Sequence, residues 1–95
     1  MTVLNVATTH LKEVDKMEAY IDAAAPLMKE YGAEVVVRGR YLKSLLGEDK
    51  GEHVLGVFRF PDMETAEAFY ACAEYKDLIG LRNQAGDMTF NFYQE

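Results

Sequence analysis

The sequence has few of the features that mark extracellular, membrane-bound or nucleic-acid-binding proteins. Its one cysteine, Cys72, cannot form a disulfide within the chain and has no cysteine neighbour for a zinc site. No apolar run approaches the roughly 18 residues of a membrane-spanning helix, and no basic segment precedes an apolar stretch at the start. Sixteen acidic against ten basic residues give a net charge of −6, which argues against a phosphate-binding surface. We therefore expect a cytoplasmic protein that binds neither nucleic acid nor membrane.

Hydrophobic residues make up 49% of the 95 positions, enough for one core. There are no internal repeats, linkers or low-complexity segments, so residues 1–95 are predicted to form a single domain. A chain of this size buries a limited fraction of its surface, and association with a second copy would increase that fraction.

The order of secondary-structure elements is predicted to be strand, helix, strand, strand, helix, strand. In the first half, β-forming residues alternate over Val3–Thr8, and a helix starts at Asp15 and is closed by Gly32. Pro26 removes a hydrogen bond inside this helix and predicts a kink, unless the helix consists of two pieces. In the second half we predict a second strand over Glu34–Leu46, with Gly39 as a bulge or a point of close approach, and a charged hairpin loop over Gly47–Glu52. A third strand over His53–Phe60, a helix from Met63, a second helical segment over Glu74–Ala85 and a last strand over Met88–Tyr93 follow. Asp62 is placed to cap the helix that starts at Met63, and Gly86 to end the segment before the last strand.

Right-handed crossovers between these elements give an α+β fold of the ferredoxin-like βαββαβ type. Its four-stranded antiparallel sheet has the order fourth, first, third, second, with both helices on one face. The third strand is apolar on both faces, because Phe58 and Phe60 fall on one side and Leu55 and Val57 on the other. A second sheet would cover the exposed apolar side. We therefore expect a homodimer whose sheets pack face to face into an α/β barrel.

Arginines form the first candidate site. The predicted hairpin places Arg38 close to opposite Arg59, an unfavourable pairing unless an anion or an acid lies between them. With Arg82 on the helix row facing the sheet, three guanidinium groups would line one pocket for a carboxylate or phosphate. The alternative is that Arg38 and Arg59 point to water or pair with Glu34, Asp62 or a glutamate of the partner chain.

Tyrosines, six in this chain, form the second candidate site. Tyr70 and Tyr75 follow the cap of the second helix, where an aromatic body with a hydroxyl tip suits a cleft that binds a small ring-bearing ligand. Structural packing is the alternative for both residues. Tyr20 and Tyr31 are weaker candidates for the same role.

The histidines and the cysteine are weaker candidates still. His10, at the end of the first strand, and His53, at the start of the third, are predicted to lie at the same end of the sheet, where they would form a metal site or an acid/base pair. The alternative is that they have no role, since their spacing matches no metal motif. Cys72 lies near the end of the second helix with no histidine beside it, and we expect a buried, unreactive thiol. We predict no metal site and no cofactor.

Five blocks of sequence carry a resemblance to a known family: Tyr31-Gly32-Ala33, Val37-Arg38-Gly39, Phe60-Pro61-Asp62, Ala68-Phe69-Tyr70 and Glu74-Tyr75, followed by Arg82. In this order they resemble the domain-of-unknown-function 1330 family, over about Tyr20 to Phe92. The resemblance implies a dimeric α/β barrel related in shape to small cofactor-free monooxygenases and muconolactone isomerases, and it implies no reaction. Where that family has Ser-Pro before its Glu-Tyr pair, this chain has Cys72-Ala73, which predicts a less rigid turn and a helix that runs through.

Two functional hypotheses follow. In the first, the dimer binds a small organic acid or aromatic metabolite, with isomerase or monooxygenase-like chemistry that needs no cofactor. Arg38, Arg59 or Arg82 would then bind the anion, and Tyr70 or Tyr75 would donate a proton. In the second, the protein is a non-catalytic stress-response or regulatory dimer whose barrel is filled by its own side chains. No sequence motif identifies a catalytic residue.

Overall fold

The computed structural model describes residues 1–95 and contains the predicted order of strands and helices. Four strands form one antiparallel sheet in the order β2-β3-β1-β4. The helical part after β3 consists of three short helices where two segments are predicted. The elements are β1 (Val3–Leu11), α1 (Val14–Glu30), β2 (Glu34–Arg40), β3 (Val54–Phe60), α2 (Met63–Ala71), α3 (Ala73–Lys76), α4 (Ile79–Ala85) and β4 (Gly86–Gln94).

The core lies between the sheet and the helices. Alternate residues of β1 are buried on this side, including Val3, Asn5 and Ala7. Phe60 of β3 and Phe69 of α2 are almost fully buried, with ring centroids 5.8 Å apart. Burial of such a side chain contributes about 1.5–3 kcal/mol, so this aromatic contact holds α2 on the sheet.

The opposite side of the sheet, which we call the free face, carries an apolar centre. On this face, β1 and β3 place Leu4 opposite Arg59, Val6 opposite Val57 and Thr8 opposite Leu55. These residues alternate with the buried ones, as the two-sided pattern of the third strand predicts. Leu4, Val6, Leu55 and Val57 of this face are half-buried, whereas the alternate β1 residues on the helix side are buried.

The second strand is shorter than predicted. It ends at Arg40, not Leu46. Tyr41 still donates its backbone N–H to the His53 carbonyl oxygen at 2.9 Å, and its hydroxyl group hydrogen-bonds Ser44 and Asp49 within the following loop. The bulge lies between Val35 and Val37, not at Gly39. The prediction that Arg38 faces Arg59 is therefore wrong: Arg38 pairs with Gly56, and Arg59 pairs with Glu34.

Helix boundaries follow local chemistry. α1 runs through Pro26 as one helix, so the two-piece alternative is wrong and the kink stays a prediction. Asp62 caps α2 as predicted, because its carboxylate accepts a hydrogen bond from the Thr65 backbone N–H at 2.7 Å.

The predicted continuous helix at Cys72 does not occur. Cys72 ends α2 in an extended conformation, and its sulfur accepts the backbone N–H of Tyr75 at 3.4 Å, so it caps α3. Its thiol is half-buried and lies at a helix start, in contrast to the prediction. The helices are all too short or too polar to cross a membrane.

Candidate functional site

A cavity of about 460 Å³ lies between the sheet and α1. Seventeen of its 23 lining residues are hydrophobic, which suits an apolar or aromatic ligand body. α1 contributes one wall through Met17, Tyr20 and Ile21, and the sheet contributes another through residues such as Phe58 and Phe90. The cavity lies where sequence reasoning predicted a pocket, between the sheet and the helices.

Two arginines lie at the side of the cavity where β2 forms the edge of the sheet. Arg38 and Arg40 both line the cavity and both are exposed, so they border its opening to solvent. Neither forms an ion pair or a side-chain hydrogen bond within the chain. Two unpaired guanidinium groups on one side of a strand favour an anion at this position.

The bulge in β2 places these arginines on the cavity side. Val35 pairs with Phe58 on the helix side, whereas Val37 pairs with Val57 on the free face, although the two valines are two residues apart. In a regular strand they would share a face, and the extra residue at Val36 reverses the alternation beyond it. Arg38 therefore points to the same side of the sheet as Val35.

A chain of hydrogen bonds leads from Arg82 to the cavity wall. The Arg82 guanidinium donates to the Tyr75 hydroxyl oxygen at 3.1 Å, and the Tyr75 and Tyr20 hydroxyl groups are 2.8 Å apart. Tyr75 is 1% exposed, and Tyr20 lines the cavity. The Arg82 guanidinium also lies 5.9 Å from the ring centroid of Phe90, another residue of the cavity wall.

Tyr70, a second tyrosine of the cavity wall, forms a hydrogen bond with a residue of the core. The Asn5 amide N–H donates to the Tyr70 hydroxyl oxygen at 2.8 Å. Asn5 is fully buried, and its side-chain carbonyl oxygen has no hydrogen-bond partner. Such an orphaned acceptor destabilises the fold, and the one partner of this side chain is Tyr70.

Burial raises the pKa of both cavity phenols above the ordinary value of 10.0. For Tyr20, the phenols of Tyr75 and Tyr70 raise the pKa further, while the positive charge of Arg82 lowers it. Desolvation dominates because a phenolate is poorly solvated in this apolar setting. Both groups are therefore protonated near neutral pH, and each keeps a hydroxyl hydrogen.

The five site residues predicted from the sequence lie in three places. Arg38 and Tyr70 line the cavity, and Tyr75 and Arg82 lie behind its wall. Arg59 is elsewhere, on the free face: its guanidinium donates to Glu34 at 2.6 Å and to Glu95 at 2.6 Å. The three-arginine pocket is thus wrong for Arg59, and the predicted alternative of a pair with Glu34 is correct.

Histidines meet at one end of the sheet, as predicted. The ring centroids of His10 and His53 are 5.3 Å apart, and Tyr41 stacks on His53 at 4.7 Å. No group of three or more His, Cys, Asp or Glu side chains comes together in a way that would hold a metal ion.

Sequence reasoning missed Arg40 and Asn5. Arg40 is two residues from Arg38, and on a strand this spacing places both side chains on one face, so the signal was present. Asn5 interrupts the apolar positions of β1 that alternate onto the buried side, Val3 and Ala7. A polar residue in such a row indicates a buried hydrogen-bonding role.

The sequence matches the family described as Domain of unknown function (DUF1330) over residues 2–94, and the chain therefore belongs to this family. No curated protein matches the sequence.

Solved structures share the fold at low sequence identity. A protein of unknown function from Rhodopseudomonas palustris has a TM-score of 0.82 at 16% identity, with 99% of this chain and 82% of that one covered. An ethyl tert-butyl ether d (ethd) family protein from Bacillus halodurans gives 0.65 at 22% identity, over 100% and 99% of the two chains. SnoaB, a cofactor-independent oxygenase from Streptomyces nogalater, gives 0.65 at 13% identity, over 99% and 90%. These likenesses establish the ferredoxin-like fold.

Proposed function

We propose that this member of the DUF1330 family binds a small, mainly apolar organic acid, such as an aromatic carboxylate, in the cavity between the sheet and α1. The observation that carries the proposal is the cavity itself: about 460 Å³, mostly hydrophobic, with two unpaired arginines at its opening. The volume falls within the range of about 300–1,000 Å³ typical of small-molecule sites. It also weighs against the alternative of a barrel filled by its own side chains.

Charge complementarity defines one end of the ligand. The chain carries a net charge of −6, so a positive site must be local to attract an anion. Arg38 and Arg40 provide such a site, because Glu34, the acid that lines the same cavity, is already bonded to Arg59. A carboxylate that binds there would leave its apolar body inside the cavity.

Calorimetric titration of aromatic carboxylates tests the proposal, with the methyl ester of each acid as a neutral analogue of the same shape. We expect the acid to bind and the double variant Arg38→Gln, Arg40→Gln to weaken it at least tenfold, because a hydrogen bond to a charged group contributes about 1.5–3 kcal/mol. Lys43→Gln is the matched control, since it removes one positive charge from a residue outside the cavity. Equal affinity for acid and ester, or no effect of the double variant, would refute the carboxylate assignment.

The proposed assembly is a homodimer through the free face. Its support is the apolar centre formed by Leu4, Val6, Leu55 and Val57, which the chain itself leaves uncovered. Arg59 and its two carboxylate partners border this centre and would set the polar rim of the interface. Phe58 and Phe90 of the cavity wall lie on the other side of the sheet, and Leu55 borders both surfaces.

Chemistry without a cofactor is the catalytic extension of this proposal. SnoaB, which shares the fold, is a cofactor-independent oxygenase, and fold alone does not transfer a reaction. In this chain the groups that could move a proton at the ligand are phenols of the cavity wall, Tyr70 directly and Tyr75 through Tyr20. Incubation of the protein with each acid that binds, followed by chromatography and mass spectrometry of the acid, separates binding from turnover, because isomers differ in retention and oxygenated products differ in mass.

A further inference from the structure

The hydrogen bonds behind the cavity wall determine where the hydroxyl hydrogens of Tyr75 and Tyr20 lie. Each phenol has one hydrogen to donate and an oxygen that accepts. Arg82 can only donate, so the Tyr75 oxygen is an acceptor in their 3.1 Å contact. The single hydrogen bond between Tyr75 and Tyr20 then uses one of two hydroxyl hydrogens and leaves the other over.

Burial decides which hydrogen remains. If Tyr20 donated to Tyr75, the hydrogen of Tyr75 would be left without a partner at a residue that is 1% exposed. An unsatisfied buried donor carries a desolvation penalty that the reverse arrangement avoids. With Tyr75 as donor, the unused hydrogen belongs to Tyr20, which is 9% exposed and lines the cavity.

The hydroxyl hydrogen of Tyr70 is also left without an acceptor. Its oxygen accepts from Asn5, which forms no other side-chain hydrogen bond, and no acceptor within the chain takes the Tyr70 hydrogen. Tyr70 lines the cavity as well. The two phenols flank the same ring, because the centroid of Tyr75 lies 6.4 Å from that of Tyr20 and 4.9 Å from that of Tyr70.

We propose that Tyr20 and Tyr70 form a two-donor site for an oxygen atom of the ligand, and that the site favours a phenolate, enolate or ketone oxygen at the end of the ligand remote from its carboxylate. This proposal rests on the proposed function, since it assigns the inner end of the ligand whose acid group binds Arg38 and Arg40. Two protonated donors preorganised in an apolar cavity bind an oxygen anion more tightly than a neutral hydroxyl. Arg82 is a positioning residue, because it acts on the ligand through Tyr75 and Tyr20.

4-Nitrophenol is the probe, because its phenolate form absorbs visible light and its neutral form does not. Buffered at its own pKa, the free dye is half ionised, and we expect the protein to shift the bound dye toward the phenolate. Tyr20→Phe and Tyr70→Phe should each reduce phenolate affinity about tenfold or more, the effect of removing a hydrogen bond to a charged acceptor. Binding of the neutral dye at acid pH should change by a smaller factor than binding of the phenolate, since a hydrogen bond between neutral groups contributes less than one to a charged acceptor.

Three further variants keep the test decisive. Tyr31→Phe removes a phenol outside the cavity and should leave the dye spectrum unchanged. Arg82→Met, at a half-buried residue, should reduce the phenolate shift while neutral dye still binds, which reports on the site even if a tyrosine variant folds poorly. In the Arg38→Gln, Arg40→Gln background the shift should persist, because the phenols alone produce it.

The outcomes separate the two proposals. The two-donor site is refuted if neutral and ionised dye bind equally to the protein, or if Tyr20→Phe and Tyr70→Phe leave the spectral shift unchanged. Neither outcome affects the proposed carboxylate site. Failure of both the dye and the aromatic acids to bind overturns the proposed function and this inference with it.

Discussion

Replacement of Asn5 by leucine should stabilise the fold and weaken the site at the same time. Asn5 is fully buried in β1, its carbonyl oxygen has no partner, and its amide donates to Tyr70. Leucine has similar length, fits a strand better than asparagine, and brings no polar atom into the core. The variant therefore removes an orphaned acceptor and one hydrogen bond together.

The two effects differ in size. An unsatisfied buried acceptor costs about 1–3 kcal/mol, and an intramolecular hydrogen bond contributes about 1 kcal/mol net. The Tyr70 oxygen loses its donor but lies on the cavity wall, where water replaces the lost contact. We expect Asn5→Leu to raise the free energy of unfolding by about 1 kcal/mol, equivalent to a melting temperature about 4–8 °C higher for a domain of this size.

Urea denaturation at one fixed protein concentration measures the change, because association would add to the stability of each variant. The midpoint should rise with an unchanged slope, while phenolate affinity falls because Tyr70 is no longer held by Asn5. Asn83→Leu, at an exposed position of α4, is the control and should stay within about 0.5 kcal/mol of the wild type. A decrease of more than about 1 kcal/mol in the free energy of unfolding of Asn5→Leu would show that the Asn5 carbonyl oxygen has a hydrogen-bond partner, and it would refute the prediction.

Two further predictions concern the free face. Hydrogen bonds from Arg59 and Thr2 lower the pKa of Glu95 from 4.5 to about 2. Because this folded value lies below the unfolded one, the ionised group stabilises the fold above about pH 4.5. The stabilisation is lost as the pH falls to about 2. The difference in urea midpoint between wild type and Glu95→Gln should therefore be constant near neutral pH and vanish toward pH 2, and a difference that persists there would contradict the assignment. Val57→Lys should convert the proposed dimer to monomer in native mass spectrometry, since it places a charge in the apolar centre, whereas Leu42→Lys on the exposed loop should not. A wild-type monomer, or a dimer that survives Val57→Lys, would refute the sheet-to-sheet assembly.

The order of elements could be predicted because each has a local signal. Asp62 caps α2, Gly86 ends α4, and the two-sided pattern of β3 places Phe58 under the helices and Val57 on the free face. Right-handed crossover rules then leave few ways to arrange four strands. These signals need only a few neighbouring residues, so the sequence suffices to read them.

The break at Cys72 could not be predicted from residue preferences. Serine is the expected N-cap and cysteine is not, yet the sulfur of Cys72 accepts the backbone N–H of Tyr75 and the turn persists. The chain conformation around the turn, extended at Cys72, decides the outcome. Sequence reasoning ranks side chains and does not supply this geometry.

The pairing register of β2 could not be predicted from the sequence either. The predicted position of Arg38 opposite Arg59 depends on that register. A bulge adds one residue to a strand without a distinct composition, and the extra residue moves every later side chain to the other face. Without the bulge at Val36, Arg38 and Arg40 would lie on the free face with Arg59, where three like charges would surround the apolar centre. With it, Arg59 pairs with Glu34 and Glu95 at the rim while the other two line the cavity. One inserted residue thus separates the arginines of the proposed interface from those of the proposed anion site, and both proposals rest on that single irregularity of β2.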